Sequence, residues 1–89
     1  MERRATFLVE VYLARSRCDD VDGTASRVRQ AAEELTREGT SVRYVRTTFV
    51  PDDETCFHVF EAGDRDAVVE LTRRAGLADG RIVPAVEGR

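Results

Sequence analysis

The hydrophobic period of this sequence changes along the chain in an order that leaves few folds open. From Ala5 to Ala14, Phe7, Val9, Val11 and Leu13 alternate with Leu8, Glu10 and Tyr12. Period two with β-branched and aromatic residues predicts a strand. After a polar loop from Arg15 to Val21, apolar residues recur at three- and four-residue spacing: Val21, Ala25, Val28, Ala31, Ala32 and Leu35. That predicts a helix over roughly Asp22 to Glu38, capped by Asp22 or Thr24 and stopped by Gly39. Val42 to Val50 and Thr55 to Glu61 return to strand character on either side of Pro51-Asp52-Asp53-Glu54, a turn in which proline presets φ. Asp64 then caps a second helix with Ala67, Val68, Leu71 and Ala75 on its buried stripe. Gly76 ends it, and Leu77 folds back toward Leu71. Arg81 to Val86 reads as a last short strand, with Pro84 acceptable only at an edge or a bulge.

The order is βαββαβ, the ferredoxin-like α+β unit. Right-handed crossovers put both helices on one face of a four-stranded antiparallel sheet and leave the other face open. The chain has 89 residues, enough for one core, and residues 1–89 read as a single domain with its core at about 5–87. Strand parity assigns the faces. Phe7, Val9, Val11, Leu13, Val45, Thr47, Phe57 and Val59 are expected to meet the helices. Leu8, Glu10, Tyr12, Tyr44, Arg46, Thr48, Cys56, His58 and Phe60 are expected on the open face. A face that aromatic is too apolar for a solvated monomer, and a twofold homodimer through it is the expected solution.

The chemistry on that expected face is mixed. Glu10, Tyr12, Tyr44, Arg46, His58 and Phe60 would frame a small ligand site holding an acid, a guanidinium, an imidazole and phenols. The plainer alternative is a dimer interface in which Glu10 pairs with Arg46 and His58 fills space. His58 is the only histidine, so acid–base chemistry near neutral pH would centre on it. One histidine makes no metal site alone. A dimer could bring two together, with Glu10 or Cys56 completing the set.

Other features exclude more than they suggest. Net charge is −3, and no RNP-type aromatics occur, which opposes a nucleic-acid partner. The apolar run from Phe7 to Ala14, broken by Glu10, is too short for a signal-peptide core or a membrane span, so a cytoplasmic location is expected. Cys18 and Cys56 form no CxxC pair and are expected as free thiols, Cys56 as a buried structural one. Cys18 sits beside Asp19 and Asp20, which disfavour its thiolate. Arg73-Arg74 suits the last turn of a helix. Asp52-Asp53-Glu54 lacks the ligand spacing of a calcium loop.

Several stretches together resemble a family of small bacterial ferredoxin-like domains that includes a nickel-binding protein. They are Phe7-Leu8-Val9-Glu10, Tyr44-Val45-Arg46-Thr47, Phe57-His58-Val59-Phe60-Glu61-Ala62, Arg73-Arg74-Ala75-Gly76-Leu77 and Arg81-Ile82-Val83. The resemblance implies a dimer and, in some members, a metal held by histidines. It also marks departures. Arg46 stands where a histidine often follows the aromatic–Val pair. Leu71 stands near another common histidine. His58 takes a position often held by cysteine. A guanidinium is not a metal ligand, so nickel binding weaker than in histidine-rich relatives is expected, and Arg46 points to an anionic or carbonyl-bearing ligand. Three functions follow in order: a homodimeric small-ligand binder, a nickel or other transition-metal binder using His58 and Glu10, and a cofactor-free cyclase, isomerase or monooxygenase of the dimeric ferredoxin-like type.

Overall fold

The computed structural model describes residues 3–88. Met1, Glu2 and Arg89, which fall within the single-domain span read above, lie outside the described residues. The elements are β1 (Ala5–Tyr12), a 3-10 helix (Arg15–Asp20), α1 (Val21–Arg37), β2 (Val42–Val50), a 3-10 turn (Pro51–Asp53), β3 (Thr55–Ala62), α2 (Arg65–Arg74) and β4 (Arg81–Ala85). The four strands form one antiparallel sheet in the order β2-β3-β1-β4. This is the ferredoxin-like α+β arrangement expected from the sequence.

Helix ends are set by local chemistry. Asp64 accepts the Ala67 amide at 2.9 Å and caps α2. Gly39 and Gly76 both take left-handed backbone, at φ 95 and 76. Beyond them Thr40 donates to the Leu35 carbonyl at 2.9 Å and Leu77 to that of Thr72 at 2.7 Å. Each is the glycine-centred bond pattern that satisfies the last carbonyls of a helix. Leu77 and Leu71 are buried in the same apolar cluster.

The N-terminal half of α1 differs from expectation. Arg15–Asp20 is a 3-10 helix where a loop was expected, and α1 begins at Val21 with no side-chain cap bond. Asp22 and Thr24 lie inside the helix. Thr24 is buried and its hydroxyl accepts from Arg27 Nη2 at 3.4 Å. β1 also stops at Tyr12, two residues short, because the chain turns there to the β2–β3 connection. Leu13 donates its amide to the Glu54 carbonyl at 2.9 Å, and Arg15 to the Glu54 carboxylate at 2.8 Å. Glu54 holds both from left-handed backbone (φ 47), a cost of order 1–2 kcal/mol for a non-glycine residue.

Register sorts the side chains. Across the helix-covered face run the rows Tyr44–Phe60–Phe7–Pro84 and Thr47–His58–Val9–Ile82. Phe60, His58 and Val9 are fully buried there, under a lid made by Ala25, Val28, Ala31, Ala32 and Leu35 of α1 and Ala67, Val68 and Leu71 of α2. Across the open face run Arg46–Val59–Leu8–Val83 and Thr48–Phe57–Glu10–Arg81.

Two face assignments are corrected by this register. In β3, Cys56, His58 and Phe60 face the helices, and Phe57 and Val59 face away. Both parities of this central strand are apolar, so alternation alone does not say which side meets the core. In β2, Tyr44 faces the helices as well. A bulge between Tyr44 and Arg46 inserts Val45 and breaks the parity of the strand, so Tyr44 and Thr47 share a face while Arg46 and Thr48 take the other.

Gly80, just before β4, sits against β1. A Cβ there would lie 2.8 Å from Val9 Cγ1 and 3.1 Å from the Leu77 carbonyl oxygen. The chain can approach the sheet this closely only without a side chain.

Candidate functional site

The sheet divides the six expected site residues. Glu10, Tyr12 and Arg46 lie on the open face; Tyr44, His58 and Phe60 lie beneath α1. The acid is therefore on the opposite side of the sheet from the imidazole and the Tyr44 phenol. One chain does not bring Glu10 to His58 as paired metal ligands or as an acid–base pair.

On the open face, Glu10 Oε1 is 3.8 Å from Arg81 Nη1, its neighbour across β1 and β4. The expected Glu10–Arg46 pair does not form, because Phe57 and Thr48 complete Glu10's row and Arg46 belongs to the next one. Arg46 is exposed and makes no ion pair with a described residue. Tyr12 is 71% exposed at the end of β1.

Beneath α1 a hydrogen-bonded chain crosses from β2 to β3. The Tyr44 hydroxyl donates to Thr47 Oγ1 at 2.8 Å, Thr47 Oγ1 lies 2.8 Å from His58 Nδ1, and His58 Nε2 lies 3.8 Å from Cys56 Sγ. Hydroxyls, imidazole and thiol can each donate and accept, so the chain can also run the other way, which frees the Tyr44 hydroxyl proton. Burial, and then the charge of Arg27, pulls His58 down to about 4; it is neutral across the physiological range. Burial pushes the Cys56 thiol up. Phe60 packs edge-on to Tyr44 with centroids 5.9 Å apart, and the Arg29 guanidinium lies 5.2 Å over the Tyr44 ring, a cation–π contact.

Each end of this chain reaches a concavity. Cys56 lines a cavity of about 360 Å³ between β1, the 3-10 helix and the start of α1, together with Val11, Asp19, Thr24 and Arg27. Tyr44 lines an open groove of about 690 Å³ between α1 and β2, bordered by Arg29, Arg37 and Arg43. Sequence reasoning had the residues of the chain but not their connection. Thr47 and His58 become neighbours only through the β2–β3 register, which the bulge sets.

Against known proteins, the family described as nickel responsive protein SCO4226-like matches residues 7–84. The chain belongs to this family. The match bears out the resemblance drawn from the strand and helix-end motifs. No curated protein and no solved structure matches the chain. No described helix is long and apolar enough to cross a membrane.

The name of the SCO4226-like family raises nickel, and the donor set here does not fit that ion. Among the described residues no group of three or more His, Cys, Asp or Glu side chains could hold a metal. His58 has Cys56 beside it and no carboxylate. Arg46 and Leu71 supply no donor where the family resemblance would put histidines.

Proposed function

We propose that this member of the SCO4226-like family works as a homodimer closed through the open face of its sheet, and binds a small anionic ligand beside Arg46. The observation that carries this reading is the row Arg46–Val59–Leu8–Val83. Three apolar side chains cross the middle of a face that no helix covers, and an exposed guanidinium without an acidic partner ends the row. Apolar area of that kind favours contact with a second surface. A twofold axis would set the Glu10–Arg81 rows of two copies against each other. Arg46 is a natural partner for a carboxylate or phosphate, which its planar fork can bind at two oxygens.

Sedimentation at micromolar concentration is expected to give twice the chain mass, and Leu8→Arg to give the chain mass. A wild-type monomer overturns the dimer. Thermal-shift screening with small carboxylates and phosphates is expected to find a stabilising ligand whose effect vanishes in Arg46→Ala. An effect that survives this substitution removes Arg46 from the site.

A nickel-binding reading is favoured by the family match. Its donors would have to be found beyond Cys56 and His58, which lie beneath α1 and not on the face through which the dimer closes, so affinity below that of histidine-rich relatives is expected. Calorimetry giving a nanomolar nickel affinity that persists in His58→Ala contradicts the expectation of weak binding through His58.

A further inference from the structure

We propose that Cys56 and His58 form a two-donor site for a soft monovalent metal cation of the copper(I) class, entered through the cavity at the start of α1. The pair lies on one face of β3, two residues apart, with Nε2 3.8 Å from Sγ. On the scale of zinc's bonds to cysteine sulfur and histidine nitrogen, about 2.3 and 2.0 Å, two bonds end to end span roughly 4.3 Å. The donors therefore need to part by a few tenths of an ångström for a linear geometry, and less for a bent one. Thiolate and imidazole are the ligands that soft ions select.

Charge decides against a divalent ion. Cys56 and His58 are both essentially inaccessible, at 1% and 0% exposure, and the Arg27 guanidinium lines the same cavity as Cys56. A monovalent cation with one thiolate is neutral. A divalent cation would leave a net positive charge at the buried pair beside Arg27, and Asp19 and Asp20, which line the same cavity, do not complete a set of three donors with Cys56 and His58 among the described residues. Copper(I) also accepts two ligands, and two are what this chain supplies, whereas nickel and zinc ask for more.

The surroundings suit a bound state. With the metal on Nε2, the ring proton sits on Nδ1 and is donated to Thr47 Oγ1, which can pass its own proton toward Tyr44. That is the reverse direction of the hydrogen-bonded chain already described. An outer partner of this kind fixes the tautomer and orientation of a ligating histidine. Binding breaks the Cys56 S–H bond, forms the S–metal bond and releases the proton to solvent through the cavity. No electron is transferred.

The test is titration of untagged protein with copper(I), held reduced under anaerobic conditions against a chromogenic chelator. One equivalent per chain is expected for wild type and for Cys18→Ser. Cys56→Ser should lose at least 100-fold in affinity, and Thr47→Val tenfold or more, in the range of lost outer-shell partners. Nickel should not displace the bound ion. X-ray absorption on the wild-type complex should show one sulfur and one nitrogen, a readout that needs no variant to fold. Failure of the wild type to compete with the chelator, wild-type affinity in Cys56→Ser, or a shell of sulfur alone each overturns the site. None of these outcomes depends on whether the open face dimerises or binds an anion at Arg46.

Discussion

The two faces of this sheet carry similar residue types under opposite physics. On the helix side, His58 is fully buried, held neutral, and linked through Thr47 to Tyr44 and through its other nitrogen to Cys56. On the open side, Glu10 and Arg46 remain in contact with water, one loosely paired with Arg81 and the other with no ionic partner among the described residues. The difference shows that a polar group in a small sheet protein takes its role from the parity of its position. Beneath α1 each polar atom must be satisfied by a neighbour, so the residues there form a connected chain. On the open face water satisfies them, so they stay independent and available.

The sharpest way to break the comparison is to remove a ring from each face of β3. Phe60→Ala empties a site with no exposure and is expected to cost ~3–5 kcal/mol in chemical denaturation. Phe57→Ala, one parity over and only partly buried, should cost far less in the isolated chain and show mainly in self-association. Equal costs would mean that the helices do not define the core side.

The next effect is of pH on metal-free protein. His58 falls from its ordinary 6.5 to about 4 in the fold, through burial first and the Arg27 charge second. Cys56 and Thr47 are its hydrogen-bonding neighbours and Arg27 the charge that reaches it from α1. The unfolded chain binds a proton that the folded one refuses, so stability is complete above about 6.5 and falls as pH drops toward 4. The loss is of order 3 kcal/mol. His58→Gln should flatten that part of the stability profile, whatever it does to the stability at neutral pH. A profile unchanged by the substitution would assign the slope to other groups.

The smallest effect belongs to Arg46. Arg46→Ala should leave stability within about 0.5 kcal/mol of wild type, as an exposed substitution with no contact to lose. A larger cost measured by thermal melting would show that Arg46 has a structural partner, for example across a dimer interface.

The elements themselves were legible in sequence because each carries its own local signal. Asp64 sits at a cap, Gly39 and Gly76 stand where the chain must turn left-handed, and Pro51 opens the turn. Pro84 falls on β4, an edge strand, as the missing amide requires. The start of α1 was less clear, since Arg15–Asp20 lacks an apolar stripe and forms its 3-10 turns through backbone bonds such as Arg17 to Ala14. The face of β1 was legible too, since Glu10 marks its outer parity. The face of β3 was not. Cys56, His58, Phe60 and Ala62 compete with Phe57 and Val59, and a central strand covered on one side and apolar on the other gives periodicity no contrast. Tyr44 was lost for a different reason. Nothing in Tyr44-Val45-Arg46 announces an inserted residue, and the register against β3 that reveals it is a long-range property.

That insertion has a consequence for how the family's sequences are compared. Upstream of Val45, even-numbered positions of β2 look toward the helices; downstream, odd-numbered ones do. A gap placed one column to either side of Val45 would exchange the positions equivalent to Tyr44 and Arg46 between the dry side of the sheet and the wet one. Alignment across this strand therefore has to be anchored on Thr47 and His58, whose side chains touch, and not on the aromatic residue that precedes the kink.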